Sequence, residues 1–159
     1  MELTRLFTPD DLIVGFAPAD KWEAIRGLVQ HLVDKQKLPP EHFEAVLEAV
    51  LSREQSMSTG MERGIAIPHS AVDEVQEVCA AMGIVTGEEG LAFESIDGQP
   101  ARLVVLLVIP RSEKLLHIRT LADVARVLGK EAVREGLVAA ASSEDAWKVL
   151  TAGDAGALR

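Results

Sequence analysis

The chain has one cysteine, Cys79, in 159 residues, so no disulfide can form within it. Cys79 lies in the apolar run of residues 78–85, where a small buried hydrophobe is expected rather than a reactive thiol. No cysteine pair and no His-x3-His spacing is present, which argues against zinc; no metal and no other cofactor is expected. Cations are scarce as well: 16 Lys and Arg stand against 25 Asp and Glu, for a net charge of −9. A nucleic-acid binder needs phosphate-neutralising cations, so that class is disfavoured, whereas a basic protein partner fits the field. The longest apolar run, residues 103–109, is far too short to cross a bilayer. The opening MELTRLFTPDD lacks a basic start followed by an apolar block, so no signal peptide is read there. A cytoplasmic protein without membrane insertion is expected. There is no Gly-x-Ser-x-Gly elbow, and no glycine loop ends in Gly-Lys-Ser/Thr; a serine hydrolase and a Walker-type nucleotide site are therefore not indicated.

What is present reads as one globular domain. The chain is 48% apolar and 26% charged, a balance that supports a packed core rather than disorder. The domain is assigned to residues 1–152, with a frayed tail at 153–159. Residues 12–14 form a possible edge strand. Asp20 with Glu23 is an N-cap with an acid three positions on, and Trp22, Ile25, Leu28, Val29 and Leu32 follow with helical spacing. A second helix starts near Pro40 and buries Phe43, Val46, Leu47, Val50 and Leu51. Strands are expected at 65–67, 78–85, 91–93 and 102–109, the last an interior strand covered on both faces. From Glu113 the helical period returns through Leu116, Leu121, Val124, Ala125 and Leu128 and stops at Gly129. A helix over about 130–140 and a last one capped by Ser143 complete the pattern. Helices, then strands, then helices imply an α/β fold with a central β-sheet flanked by helices.

Chemistry concentrates in REQSMSTGMERGIAIPH, residues 53–69. Pro68 forces an extended backbone before it, which places His69 at a strand end. On its own His69 reads either as an ordinary turn histidine or as a nucleophile toward phosphorus. Ser58, Thr59, Gly60 and Gly64 offer hydroxyl and backbone N–H donors to a phosphoryl oxygen, or form a plain connecting loop. Arg53 is either a cation favoured at a helix C-terminus or a fork-shaped phosphate donor. His117, at the start of a helix, is either half-buried packing or a second imidazole facing His69. His31 and His42 are read as surface residues. Met57, Met61, Glu62 and Ile65 are the candidate partner-binding residues beside the site.

Taken together, these residues resemble the enzyme IIA domain of the phosphoenolpyruvate-dependent phosphotransferase system, fructose/mannitol type. Arg53-Glu54, Ser58-Thr59-Gly60, Gly64 and Ile65-Ala66-Ile67-Pro68-His69 carry the resemblance. Asp97-Gly98-Gln99-Pro100 before the apolar strand, and His117 before Leu121-Ala122, extend it over nearly the whole chain. The resemblance implies a mixed central β-sheet. It also implies a phosphoryl group accepted on Nε2 of His69 from an HPr-like phosphocarrier, with His117 and Arg53 supporting it.

This chain departs from the family pattern at Glu62 and Ser70, where glycine is usual, and at Arg63, where Asn or His is frequent. A positive φ at Glu62 would strain the loop. As a lone domain, the chain is similar to the nitrogen-regulatory branch, which signals by phosphorylation state. A sugar-specific enzyme IIA that passes phosphate to an enzyme IIB fits the same residues, as does a poorly phosphorylated module that docks on regulatory targets.

Overall fold

The computed structural model describes residues 3–156. The elements run β1 (Leu12–Val14), α1 (Lys21–Asp34), α2 (Phe43–Ser56), β2 (Ile65–Ala66), β3 (His69–Val72), β4 (Cys79–Ile84), β5 (Leu103–Pro110), α3 (Lys114–Leu128), α4 (Glu131–Ala139) and α5 (Ser143–Asp154), after two short 3-10 turns. The sheet order is β1-β4-β5-β2, with β3 following β2 along the same edge of β5. β1 is parallel to β4, β4 is antiparallel to β5, and β2 and β3 are parallel to β5. The sheet is therefore mixed, and helices cover both of its faces.

β5 explains the layering. All eight of its residues are buried. Successive side chains alternate between faces, so Val104, Leu106 and Val108 join one core while Leu103, Val105, Leu107 and Ile109 join the other. The first core packs on α1 and α2 through Ile25, Leu28, Val46 and Val50. The second packs on α3, α4 and α5 through Val124, Leu137 and Leu150. Each such side chain contributes roughly 1.5–3 kcal/mol by leaving water.

Asp20 caps α1, its Oδ1 accepting from the Glu23 N–H at 2.8 Å. Ser142, not Ser143, caps α5 by accepting from the Asp145 N–H at 3.1 Å. Ser143 instead donates to the Leu12 carbonyl at 2.7 Å and ties α5 to β1.

Other sequence expectations need correction. Residues 91–93 form no strand; Leu91 makes only an isolated bridge to Ala101. The tail does not begin at Gly153: that residue is buried, and Asp154 accepts from Thr4 and Arg126. Residues 157–159 of the expected tail lie outside the described residues. Ala125 is exposed on α3, and Val127 occupies the buried position instead. His31 is not a surface residue. Its ring is largely covered, and Nε2 lies 2.9 Å from the buried carboxylate of Asp11, which Lys37 also contacts. Cys79 is buried as expected; its thiol faces the Lys37 carbonyl, and burial pushes its pKa up.

Candidate functional site

The site is assembled where α2 ends and two short strands ride on β5. Met57 closes α2, its N–H donating to the Arg53 carbonyl at 3.3 Å and its own carbonyl accepting from Arg53 Nη1 at 2.8 Å. Glu54, one residue on, is buried. Its carboxylate accepts the Thr59 N–H at 3.0 Å and the Thr59 hydroxyl, and lies 3.3 Å from Lys21 Nζ. A buried carboxylate needs such partners, because an unpaired one is costly in a low-dielectric interior.

This network fixes the loop. Ser58 Oγ donates to the Glu94 carbonyl at 2.6 Å and accepts from the Gly60 N–H at 3.2 Å. Ile67 N–H donates to the Thr59 carbonyl at 3.1 Å. A Cβ at Gly60 would stand 2.3 Å from the Glu94 oxygen, so only glycine fits there. The Ser58 and Thr59 hydroxyls and the Thr59 and Gly60 N–H groups, expected to face a phosphoryl oxygen, are thus engaged by Glu94, Glu54 and Ser58. The positive φ falls not at Glu62 but at Arg63 (62°) and Gly64 (78°).

His69 opens β3 rather than ending a strand; it pairs in register with Leu107, whose N–H donates to the Pro68 carbonyl at 3.1 Å. Its Nδ1 lies 2.7 Å from the Ile67 carbonyl. A carbonyl is only an acceptor, so Nδ1 carries the proton and Nε2 keeps its lone pair. The His117 ring meets His69 edge to face, with centroids 5.4 Å apart and planes at 76°. Burial lowers the His69 pKa below the ordinary histidine value. The Ile67 carbonyl opposes that shift, the charges of Arg53 and His117 reinforce it, and Glu54 acts weakly against it. The ring is therefore neutral at pH 7, the form that can act as a nucleophile. Among the described residues no three His, Cys, Asp or Glu side chains converge on one point.

The sequence-expected residues separate into groups. His69 and His117 are ring neighbours, and Arg53 is near enough for its charge to act on His69. Met57 (68% exposed), Met61 and Glu62 face solvent, but Ile65 is a core residue and not part of a partner surface. Sequence reasoning named Glu54 only within the family motif and missed its role as the buried anchor of the loop. The spacing from Leu47 and Val50 places it on the buried face of α2, and that period was the available signal. It also missed Ile96, Leu115 and Ile118, each about two-thirds exposed. Leu115 and Ile118 flank His117 on α3, and Ile96 donates its N–H to the Met61 carbonyl at 3.2 Å. Large exposed apolar side chains thus occur on the loop before His69, on the segment bonded to it and on α3.

The chain and its fold are similar to known proteins. The family model described as "Phosphoenolpyruvate-dependent sugar phosphotransferase system, EIIA 2" matches residues 5–153. The chain is 37% identical to the nitrogen regulatory protein of Escherichia coli (strain K12) over 126 residues, covering 78% of this chain and 74% of that protein. It is 34% identical to the PTS system fructose-specific EIIA component of Haloferax volcanii over 153 residues, covering 94% of this chain and 97% of that one. Its fold matches the complex of enzyme IIAMTL and phosphorylated enzyme IIBMTL from Escherichia coli with a TM-score of 0.76 and 26% identity, covering 91% of this chain and 96% of that one. Among the described residues no helix is long and apolar enough to cross a membrane.

Proposed function

The chain belongs to the phosphoenolpyruvate-dependent sugar phosphotransferase system EIIA 2 family, and on that premise we propose that it accepts a phosphoryl group on Nε2 of His69 from an HPr-like phosphocarrier. The observation that carries this reading is the 2.7 Å contact between Nδ1 of His69 and the Ile67 carbonyl, which fixes the tautomer that leaves Nε2 nucleophilic. The N–P bond to His69 forms as the donor's N–P bond breaks, and the electron pair returns to the donor's ring nitrogen. His117 and Arg53 stabilise the equatorial oxygens electrostatically. The Ser58–Gly60 loop shapes the site, its own donors being used internally. Met57, Met61, Ile96, Leu115 and Ile118 form the apolar surface on which the carrier docks, and Glu62 adds a negative rim that steers a basic partner.

The downstream role is regulatory: a phosphoryl group beside an apolar patch gives two states that a target protein distinguishes. The similarity to a nitrogen regulatory protein supports this. The similarity to a fructose-specific EIIA component, and to an enzyme IIA solved with its phosphorylated enzyme IIB, supports a second reading in which phosphate passes to a transporter IIB.

The test is incubation with a phosphorylated HPr-like carrier, followed by intact mass under mildly alkaline conditions. One phosphoryl group is expected on the parent chain and none on His69→Ala. If His69→Ala is still phosphorylated, the assignment falls. Pull-downs with His69→Ala and His69→Asp separate the roles. Phosphorylation-dependent capture of non-transport proteins supports regulation; capture of a transporter IIB alone supports the second reading.

A further inference from the structure

Lys21 stands where a cation is least expected. It is the first residue of α1, the end of a helix that favours negative charge over positive. Its side chain is only 14% exposed, although lysine heads usually reach into water. Both features carry a cost, and neither is needed to start the helix, which Asp20 already caps.

The ammonium is enclosed by Glu54, Trp22 and Phe93. Nζ lies 3.3 Å from Glu54 Oε2, 4.7 Å from the centre of the Trp22 ring and 5.6 Å from that of Phe93. Ring faces within about 6 Å hold a cation electrostatically. Glu54 and the Phe93 segment are also the supports of the loop before His69. Glu54 holds Thr59, and Phe93 precedes Glu94, whose carbonyl accepts from Ser58 Oγ at 2.6 Å.

From Lys21 a line of hydrogen bonds leads to the imidazole. Nζ donates to Glu54 Oε2 at 3.3 Å, and the same oxygen accepts the Thr59 N–H at 3.0 Å. The Thr59 carbonyl accepts the Ile67 N–H at 3.1 Å, and the Ile67 carbonyl accepts from Nδ1 of His69 at 2.7 Å. Glu54 Oε1 takes the Thr59 hydroxyl. With both oxygens engaged by donors, the carboxylate is held in one orientation.

We infer that Lys21 is a positioning residue for phosphoryl acceptance at His69. Its charge fixes the Glu54 carboxylate, the carboxylate fixes Thr59, and Thr59 fixes the Ile67 peptide that aims the ring. This role rests on the phosphoryl acceptance proposed for His69 and adds to it a residue remote in sequence. Without the ammonium a buried carboxylate loses its counter-ion, and what hangs on it loosens.

Contacts in series carry coupling only where a change at one end is felt at the other, and a mutant cycle measures that. Phosphoryl acceptance from a phosphorylated HPr-like carrier is timed over a range of carrier concentrations. The variants are Lys21→Met, Lys21→Arg, Glu54→Gln and the Lys21→Met/Glu54→Gln pair, with melting points to show that each is folded. Lys21→Met keeps the stem and loses the charge. Its rate at saturating carrier should fall about tenfold, as misplacement of a reacting group does, with the half-saturating carrier concentration unchanged. Lys21→Arg keeps the charge and should recover most of the rate. In the Glu54→Gln background, Lys21→Met should slow the reaction by no more than about twofold further, since both changes act through one carboxylate. Should Lys21→Met alone not fold, the pair against Glu54→Gln applies the same criterion. Lys21→Met at the parent rate overturns the inference. So does equal slowing in both backgrounds, Lys21→Arg as slow as Lys21→Met, or a loss confined to the half-saturating concentration. A parent chain that takes no phosphate on His69 overturns the underlying reading together with this one, whereas the other failures leave that reading standing.

Discussion

The carboxylate of Glu54 accepts both the N–H and the hydroxyl of Thr59, five residues further along, and so fastens the end of α2 to the loop before His69. Lys21, reaching from α1, compensates its charge. Glu54→Gln keeps the volume but removes the charge and unbalances these partners. It should cost about 1–3 kcal/mol, the range for a buried polar group left mismatched, visible as a melting point lower by several degrees. Phosphoryl acceptance at His69 should slow with it, because the loop beside the ring loses its anchor. An unchanged melting point would show that Glu54 is not the anchor.

The His69 titration tests the electrostatics of the site. Burial, with the charges of Arg53 and His117, places its pKa below the ordinary value near 6.5. The unfolded chain therefore binds more protons than the native one between the two values. His69 costs the fold stability as pH drops through that window, and the neutral nucleophile persists below pH 6.5. Ring-proton NMR should show the lowered pKa, and His117→Ala and Arg53→Gln should each move it back up. A downward movement in either variant would contradict the assigned cause.

Leu115 and Ile118 should matter to the carrier and not to the fold. Both are about two-thirds exposed and flank His117. Ile118→Asp is expected to leave the melting point within about 1 °C, since surface changes are usually near-neutral. Carrier-dependent phosphorylation should fall about tenfold or more if the residue is a docking anchor. Ile65→Asp, by contrast, should unfold the domain, because Ile65 belongs to the core under β5.

Acid should act through Asp11. Burial raises its pKa, but hydrogen bonds from His31, Lys37 and Thr8, with the Lys37 charge, outweigh that and hold it well below the usual carboxylate range. A carboxylate depressed in this way contributes stability above its unfolded pKa, and that contribution is lost as pH falls toward the native value. Asp11→Asn should cost about 3–5 kcal/mol near neutrality, as breaking a buried charge pair does. Urea melts at pH 6 and pH 3 should show a smaller acid sensitivity in the variant. An equal loss in both proteins would place the acid-labile group elsewhere.

Much of this was legible in the sequence, and the exceptions share a cause. α1 announced itself by its cap and its period, and β5 by a continuous apolar run between turn signals. β3 did not: His-Ser-Ala-Val has no alternation of its own and is a strand only because β5 offers an edge to it. His31 looked solvated because its partner, Asp11, lies twenty residues away and is brought to it only by the fold. Ile65 looked like a rim residue because it neighbours the loop, but its place on a strand turns it inward. In the candidate site His69 and His117 could be named from type and context. The engagement of Thr59 with Glu54 could not, since hydroxyl and amide donors say nothing of which acceptor reaches them first.

The in-register pairing of His69 with Leu107 has a bearing on every encounter this protein has. The imidazole hangs from a peptide stitched to the innermost strand of the molecule, not from a hinge or a swinging loop. In the proposed role it would serve as a fixed mooring: whatever comes to deliver or collect would travel the last few ångströms itself. Upstream donor and downstream recipient would then be held to one angle of approach, and two dissimilar visitors would come to share the same berth.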